Sequence, residues 1–505
     1  MSHLTRREFL RSGGFAAAAL CLRPWPGQAA LANAAIVTRY SVQSSEGKEM
    51  LAILADAVTK MRALPEGKPH SWVFQWYTHL VKGSNFTLEQ NKKRELERIY
   101  KGASGAERDA AEAMWNTCEP HTDELRSDYF LPWHRMYLFF FEQIVRTQTG
   151  ATQFTLPYWD YYDPAQRALP AEFRKPDDPV WGPLYSADRW PRINQGKPVD
   201  EPPTAGPITL NAMKATTYKN GEVSGFCSSV QSDPHRQVHF SVGNLKGMMS
   251  FPYTAKDPVF WLHHCTIDRM WASWNKAGGK NPDDDAVFLA EDYTFVDGSG
   301  AMVTRKVGEF LDTEALGYAY DSYVPRPEDS PGFQEAAPLT FTPHAASERS
   351  AGRIRLQPSA LTVRLVPESS PPAGGNRPGS FSARMQGASG RGELHLVLED
   401  LSAAANPMAT FEVYLTGRAR GRYSRSDPSY LGALEFLETP HRHAGRGRGR
   451  KGRNHSFVVG PAHHKLLSDT GVDAPRVILV PTGPVAARSA PTIGRIVLGS
   501  LRRKA

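Results

Sequence analysis

One segment near the middle of the chain limits how the chain can fold. It reads DPVFWLHHCTIDRMW from Asp257 to Trp271, with two adjacent histidines inside an aromatic and otherwise apolar run. The apolar residues recur at helical spacing and predict a buried helix over residues 259–274. A buried imidazole without a partner costs on the order of 1–3 kcal/mol. His263 and His264 therefore need partners inside the core, and a metal ion with nearby carboxylates would satisfy both ring nitrogens.

Further histidines lie in similar surroundings. The string DPHRQVH places His235 and His239 four residues apart, which puts both on one face if the segment is helical. By itself this spacing is more often a surface feature than a metal site. Two more histidines lie in aromatic segments that also have helical periodicity. They are His79 in SWVFQWYTH and His134 in PWHRMYLFFFE. Together the segments predict a metal centre built from several helices.

The chain has 505 residues, which is long for one domain, and its periodicity changes along its length. Apolar residues at helical spacing predict helices over residues 50–62, 90–116, 133–146 and 259–274. A stretch rich in Pro, Glu, Asp and Ser over residues 325–338 predicts a linker. Short alternating or apolar runs then predict strands over residues 353–356, 361–366, 393–398, 410–415, 455–459 and 476–480. We expect a mainly α catalytic core at 35–324, a linker at 325–350 and an all-β sandwich domain at 351–505.

The net charge of +8 is local rather than general. Basic residues cluster in HAGRGRGRKGR, from His443 to Arg453, and at the last residues of the sequence. The first cluster has no large hydrophobic residue and predicts a solvated loop between strands, which we favour over a polyanion-binding site. Nothing in the composition calls for nucleic acid as a partner, and the sequence does not predict an oligomeric state.

The first residues resemble an export signal. The string TRREFL, with Arg6 and Arg7 adjacent, precedes a modest apolar run and a small-residue stretch that ends at Ala34. This order is similar to a twin-arginine signal peptide over residues 1–34, and a plain secretory signal is the alternative. The interpretation predicts a periplasmic or secreted protein. No later stretch has the roughly 18 apolar residues that a transmembrane helix needs, so no membrane partner is expected.

The strings PWHRMYLFFFE, DPHRQVH and DPVFWLHHCTIDRMW resemble the two copper-binding signatures of the tyrosinase, catechol oxidase and polyphenol oxidase family. The resemblance covers roughly residues 35–323. It implies a four-helix bundle around a pair of copper ions, with dioxygen as co-substrate and small phenols as substrates. Six neutral imidazoles suit copper, and no Asp or Glu fits the ligand pattern as it would in a hydrolytic zinc pair.

The family pattern also implies individual roles. The ligands of the first copper would be His79, His121 and His134, and those of the second would be His235, His239 and His264. His263 would lie beside the substrate, and Phe260 would overhang the second copper. Glu142 and Asp268 are candidates for orienting the imidazoles.

The sequence departs from the family at the second ligand. The loop between His121 and His134 is longer than usual, and His121 is assigned because it is the only histidine between His79 and His134. Some members join a cysteine to this ligand through a thioether, normally two residues before it. Cys118 is three residues before His121, so a buried thiol is the favoured interpretation. The four cysteines of the chain are too few for a disulfide framework.

Substrate preference depends on the residue after His235. Members that hydroxylate monophenols often carry Asn there, acting with a water held by a Glu, whereas this chain has Arg236 and only Glu222 as a distant candidate. We expect oxidation of o-diphenols to dominate, with a preference for anionic phenols; Arg236 simply facing solvent is an equal alternative. A reversible oxygen carrier of the haemocyanin type is the competing function.

The last part of the sequence resembles plant-type polyphenol oxidases. Residues 312–320 look like the tyrosine motif that closes the catalytic core, and Arg39 is expected to contact it. The string TFEVYL from Thr410 to Leu415 is similar to a strand of the C-terminal domain in those enzymes, where the domain covers the copper site until it is removed. The alternative is that this domain only stabilises the core or mediates assembly.

Overall fold

The structure is a computed structural model. It describes residues 36–83, 88–118, 124–201, 208–221, 223–244, 246–249, 251–328, 330, 339–348, 352–367, 393–405, 407–417, 422–434, 436, 453–467 and 474–503. The predicted signal peptide, His121, Glu222 and most of the basic loop lie outside these residues.

The first part of the chain is helical, as predicted. Its main helices are α1 (Ser45–Ala63), α2 (Trp72–His79), α3 (Leu88–Tyr100), α4 (Ala106–Met114), α5 (Phe130–Thr149), α6 (Pro191–Asn194), α7 (Phe226–Val230), α8 (Gln237–Val242), α9 (Val259–Lys276) and α10 (Ala286–Ala290). Short strands complete this part: β1 (Val37–Arg39), β2 (Asp292–Val296), β3 (Met302–Lys306) and β4 (Tyr318–Tyr320).

Local sequence explains where these helices begin and end. The side chain of Ser71 accepts a hydrogen bond from the Phe74 amide and caps α2. Gly150 ends α5 with φ of 77°, a left-handed conformation that favours glycine. The single helix predicted over residues 90–116 is wrong, because the chain breaks between α3 and α4 at Gly102 and Gly105, which both have positive φ.

Two long helices, α5 and α9, form the centre of the core and are buried over most of their length. Phe141 of α5 stacks on Trp261 of α9 with ring centroids 3.5 Å apart. Aromatic pairs of this kind add to the free energy gained from burial alone. This packing holds the segments that carry His134 and His264 against each other.

The later part is rich in strands that form two larger antiparallel sheets and a two-stranded pair of β6 with β14. Its elements are β5 (Leu339–Ala346), β6 (Ile354–Arg355), β7 (Leu361–Arg364), β8 (Val366–Pro367), β9 (Glu393–Leu401), β10 (Phe411–Thr416), β11 (Tyr430–Leu434), β12 (Arg453–Val458), helix α11 (Pro461–Leu467), β13 (Arg476–Pro481), β14 (Thr492–Ile493) and β15 (Arg495–Arg503). One sheet has the order β11-β10-β13-β7 and the other β12-β9-β15-β5-β8. Apolar side chains from both sheets share one buried cluster.

Two expectations for this part need correction. The predicted linker over 325–350 contains β5, whose residues 339–346 pair with β15, so the β-rich region begins before residue 351. This strand was not predicted because Pro343 interrupts the alternating pattern and because its partner strand β15 is distant in the sequence. The region is also not purely β, since it contains α11. A helical core followed by a β-rich region is confirmed.

The β-rich region packs on the core through β9 and β12. Leu394, Leu396 and Leu398 of β9 point into the cluster between the sheets, while Val397 contacts Val223 of the core. The strand is therefore buried on both faces. None of the described helices is both long enough and apolar enough to cross a lipid bilayer.

Polar contacts join the same two parts. Ser224 and Ser456 exchange hydrogen bonds, with the Ser224 amide 2.8 Å from Ser456 Oγ and the Ser456 amide 3.0 Å from Ser224 Oγ. Asn211 Nδ2 donates to the Leu431 carbonyl at 2.8 Å. These contacts hold β11 and β12 beside the chain segment that carries His235.

Candidate metal centre

The nominated histidines come from separate elements that converge in the core. His79 is the last residue of α2, and His134 lies in the first turns of α5. His264 lies in α9, which runs against α5. His239 belongs to α8, which continues from an irregular π-helical turn over Gln231–Arg236 that carries His235. The regular helix expected for the DPHRQVH string is absent there because Pro234 lacks an amide hydrogen and Asp233 has non-helical backbone angles.

The described residues form two groups of potential metal ligands. His79, Cys118 and His134 each offer a ligand atom within 4.8 Å of the others, and all three are buried. A second group meets the same criterion with His235, His239, His263 and His264. Nearly every position nominated from the sequence thus lies in one of two compact clusters, with His121 outside the described residues.

The two groups are direct neighbours. The rings of His134 and His264 are parallel within 7°, with centroids 4.1 Å apart. Phe260 bridges the groups, because its ring centroid lies 4.2 Å from that of His264 and 5.2 Å from that of His79. Two ions bound in these groups would lie next to each other among buried aromatic rings.

Oxygen acceptors and hydroxyls orient several imidazoles. His134 Nδ1 lies 2.8 Å from the Phe130 carbonyl, and His239 Nδ1 lies 3.0 Å from the Met248 carbonyl. His79 Nδ1 lies 3.2 Å from Thr254 Oγ1. Such bonds fix the ring and direct Nε2 toward the metal site. The sequence could not reveal them, because they involve main-chain atoms or a residue far away along the chain.

Within the described residues Glu142 and Asp268 do not bond to imidazoles, which corrects the sequence-based hypothesis. Asp268 accepts hydrogen bonds from Arg135 at 2.6 Å and Arg39 at 3.0 Å, and also from the two tyrosines of the tyrosine motif. Glu142 accepts a hydrogen bond from Arg39 at 2.9 Å. The two carboxylates instead balance buried guanidinium groups behind the histidines, since a buried charge needs a partner.

Arg39 contacts the tyrosine motif, as expected from the sequence. Its Nη1 donates to Tyr320 Oη at 3.1 Å, and its guanidinium lies 3.9 Å from the ring centroid of Tyr318. Strand β1, which ends at Arg39, pairs in parallel with β4. The first and last strands of the helical core are therefore paired with each other.

The histidines of the second group have the properties of metal ligands. Burial, together with the neighbouring imidazoles, holds the pKa of His264 well below its usual value, so the ring is neutral. Within the described part of the chain neither ring nitrogen of His264 has a hydrogen-bond partner, although the residue is only 1% exposed. Such a buried polar group calls for a ligand. Neutral imidazole nitrogens in this density fit a copper pair.

Arg236 is buried rather than facing solvent, so the solvent-facing alternative is wrong. Burial lowers the pKa of His455 in β12 to about 3, and the charge of Arg236 contributes to this shift. Tyr161 Oη lies 3.0 Å from His263 Nδ1. Sequence reasoning missed both Tyr161 and His455, because no local pattern connects either residue to the histidine strings.

None of the three described cysteines forms a disulfide. Cys118 Sγ lies 3.7 Å from His134 Nε2, at the edge of the first group. Cys118 is buried, and the alternative of a thioether to His121 stays untested, since that histidine lies outside the described residues.

Comparison with known proteins identifies a domain in the helical core. The family profile described as "Common central domain of tyrosinase" matches residues 69–277, a range that includes every nominated ligand. These residues form a tyrosinase domain. The protein is an oxidoreductase that acts on phenols, and the cofactor of this family is a pair of copper ions.

Relatives within the tyrosinase family extend the match beyond the central domain. Tyrosinase HcTyr1 of Hahella sp. (strain CCB-MM4) is 28% identical over 90% of this chain and 97% of its own length. A chloroplastic polyphenol oxidase of Malus domestica is 30% identical over 38% of this chain and 37% of its own length.

Solved structures show the same fold. A recombinant latent aurone synthase (polyphenol oxidase) aligns with a TM-score of 0.63 at 18% identity, covering 93% of this chain and 90% of the other. Latent apple tyrosinase aligns with a TM-score of 0.60 at 19% identity, covering 93% of this chain and 97% of the other. The combination of a helical core and a β-rich region therefore also occurs in these two solved structures.

Proposed function

We propose that this protein oxidises o-diphenols to o-quinones with dioxygen, and that monophenols are poorer substrates. The single observation that carries the proposal is the adjacency of the two ligand groups, with His134 and His264 stacked at 4.1 Å. A site of this kind holds two metal ions close enough to act on one oxygen molecule. When bound, the copper pair supplies dioxygen binding and the two-electron oxidation.

The proposed ligand set follows from the groups. His79 and His134 would hold the first copper together with His121, and His235, His239 and His264 would hold the second. The carbonyls of Phe130 and Met248 keep two of these rings in place. Three protein ligands for each ion leave an open side for oxygen and substrate.

Other residues of the site would position the substrate. Phe260 lies between the groups and would limit how the phenol ring enters. His263 lies next to His264 in a fully buried position and would contact the substrate oxygen. The mostly aromatic and aliphatic surroundings would exclude bulk water, which strengthens polar interactions at the reacting atoms.

Arg236 supports the proposed preference for anionic diphenols. A buried guanidinium next to a metal ligand is a strong partner for a carboxylate, since such pairs are charge-assisted. Asn, which occurs at this position in many monophenol-hydroxylating members, would offer no such charge. Arg236 is buried and its charge acts on His455 of β12, so a substrate carboxylate would reach Arg236 only after this strand moves.

We therefore also propose that the β-rich region keeps the enzyme latent. The Ser224–Ser456 pair and the cluster of Val223 with Val397 join the β-rich region to the core, and the charge of Arg236, next to His235, acts on His455 of β12. Activation would require cleavage near residues 325–338 or loosening of these contacts. The alternative, in which the region only stabilises the core, predicts equal activity before and after trimming.

The finer architecture belongs to the same proposal. α2, α5, α8 and α9 would act as a four-helix frame for the copper pair, and the two larger antiparallel sheets would act as a sandwich that caps it.

Residues 1–34 would direct export through the twin-arginine route, which carries folded proteins and so permits copper loading before export. The protein would then be periplasmic or secreted.

Copper analysis combined with an oxidation assay tests the function. We expect two copper ions per chain and quinone formation from a catechol in the presence of a quinone trap, increasing after limited proteolysis at 325–338. A carboxylated catechol should be turned over faster than tyramine. A protein that binds dioxygen reversibly but forms no quinone, even after trimming, would be an oxygen carrier and not the proposed oxidase.

A further inference from the structure

Tyr161 makes a hydrogen bond inside the metal centre that neither the family pattern nor the proposed ligand set explains. Its hydroxyl oxygen lies 3.0 Å from Nδ1 of His263. Both side chains are completely buried. Because water cannot replace it there, this bond determines how the ring of His263 is held.

The ring of His263 is confined on its faces and edges as well. It stacks on His235 within 12°, with centroids 5.5 Å apart, and its centroid lies 4.9 Å from that of His239 in an edge arrangement. One of its ring nitrogens belongs to the group of four that lie within 4.8 Å of one another. Within the described residues its Nε2 has no hydrogen-bond partner. By position alone, His263 could therefore be a fourth ligand of the second metal.

The tautomer of His263 decides whether its Nε2 binds a metal ion or donates a hydrogen bond. A neutral imidazole carries one proton, and only the nitrogen without it can bind a metal. Burial raises the pKa of Tyr161 well above its usual value, so the phenol keeps its proton. A phenol that donates to Nδ1 uses the lone pair of that atom and leaves the imidazole proton on Nε2.

We propose that Tyr161 is a positioning residue that holds His263 in the Nε2–H tautomer, so that His263 donates a hydrogen bond to the phenolic oxygen of the substrate instead of binding the second metal. The substrate part of this inference rests on the proposed diphenol oxidation, whereas the tautomer part does not. The proposal explains why the second group has four histidines where three ligands are needed.

The chain offers a matched control next to Tyr161. Tyr162 is also largely buried, but its hydroxyl donates to Met270 Sδ at 2.8 Å and not to a histidine. Tyr161→Phe and Tyr162→Phe each remove one hydroxyl from neighbouring positions of the same segment. Only the first should change the state of His263.

The first measurement needs no substrate. Nitrogen NMR of protein labelled at histidine, with His263 assigned from a His263→Gln variant, reports which ring nitrogen carries the proton. We expect protonated Nε2 in metal-free and zinc-loaded wild-type protein, an unchanged spectrum in Y162F, and a mixture of tautomers in Y161F. A proton on Nδ1 in the wild-type protein, or a zinc-bound Nε2 of His263, would overturn the proposal.

The second measurement uses the copper-loaded enzyme. Loss of one oriented donor should raise KM for a catechol by about 5-fold in Y161F, with copper content unchanged, because a net hydrogen bond is worth on the order of 1 kcal/mol. Equal KM values in Y161F and Y162F would contradict the substrate contact. Absence of catechol oxidation in the wild-type protein would refute the proposed function while leaving the tautomer result intact.

Discussion

His134 and His264 stack face to face at 4.1 Å although they belong to different ligand groups. Each ring is fixed by its own helix, so the spacing of the groups depends on the packing of α5 against α9. The stacked Phe141 and Trp261 rings, 3.5 Å apart, maintain that packing. The distance between the two metal sites is therefore set by the apolar core.

Replacing His264 should empty the second site. We expect His264→Asn to lower the copper content from two ions per chain to about one and to reduce catechol oxidation by more than about 100-fold, since loss of even indirect ligand support costs 10–100-fold. Atomic absorption and an oxygen-uptake assay measure both quantities. His70→Asn is the control, because His70 bonds to Gln148 outside the groups. Two copper ions in H264N would show that this residue is not a ligand.

The buried charges behind the histidines should matter for stability. Asp268 is the common acceptor for Arg39 and Arg135, so Asp268→Asn leaves uncompensated buried charge and should lower the free energy of unfolding by about 3–5 kcal/mol. Urea titration of the metal-free protein measures the change. Asp56→Asn, which breaks only the exposed pair with Lys60, should alter it by less than about 1 kcal/mol. Equal effects would argue against a special role for the buried network.

The reciprocal serine pair provides a test of latency. Ser456→Ala removes one of the hydrogen bonds between the β-rich region and the core, worth about 1 kcal/mol, and should raise the activity of untrimmed enzyme by roughly 5-fold. Activity after trimming should be unchanged. Ser424→Ala, at an exposed serine whose hydroxyl bonds to that of Ser426, is the control. Latency would be contradicted if S456A behaved like S424A.

His455 makes the docking of the β-rich region sensitive to acid. Burial, with the charge of Arg236, lowers its pKa to about 3 in the docked state, whereas a solvated histidine has a pKa of about 6.5. Between these values the undocked form binds more protons, so docking is fully stable above about pH 6.5 and weakens as the pH falls toward 3.

We therefore expect brief exposure of untrimmed enzyme to about pH 4–5 to increase protease cleavage of the β-rich region, and His455→Gln to reduce this increase. Cleavage rates compared across the pH range measure the effect, with His70→Gln as the control. A pH dependence that is the same in H455Q and wild type would assign the sensitivity to other groups.

The sequence predicted the elements with strong local signals. The apolar periodicity of 259–274 gave α9 almost to the residue, and six of the later strands lie where alternating runs predicted them. β5, β11 and β15 were missed because each carries Pro or Gly and is defined by its partner strands rather than by its own pattern.

The candidate site was likewise predictable from the sequence only in part. The histidine strings identified the residues that the structure brings together, because adjacent or periodic histidines in an apolar segment are visible in the sequence. The contacts that orient them were not predictable. The carbonyls of Phe130 and Met248, the hydroxyl of Tyr161 and the position of His455 depend on how distant segments pack.

In the five-stranded sheet, the spatial order of the strands differs from the order in which they are synthesised. Its middle strand β15 follows both neighbours, β9 and β5, in the sequence and pairs with each over most of its length. During synthesis the helical core and most of the sheet emerge before the strand that completes the sheet, and long-range pairings form late. In the proposed latent arrangement, the core is therefore open for a period before the finished sheet covers it. Metal delivery to the nascent protein has its natural opportunity in that interval.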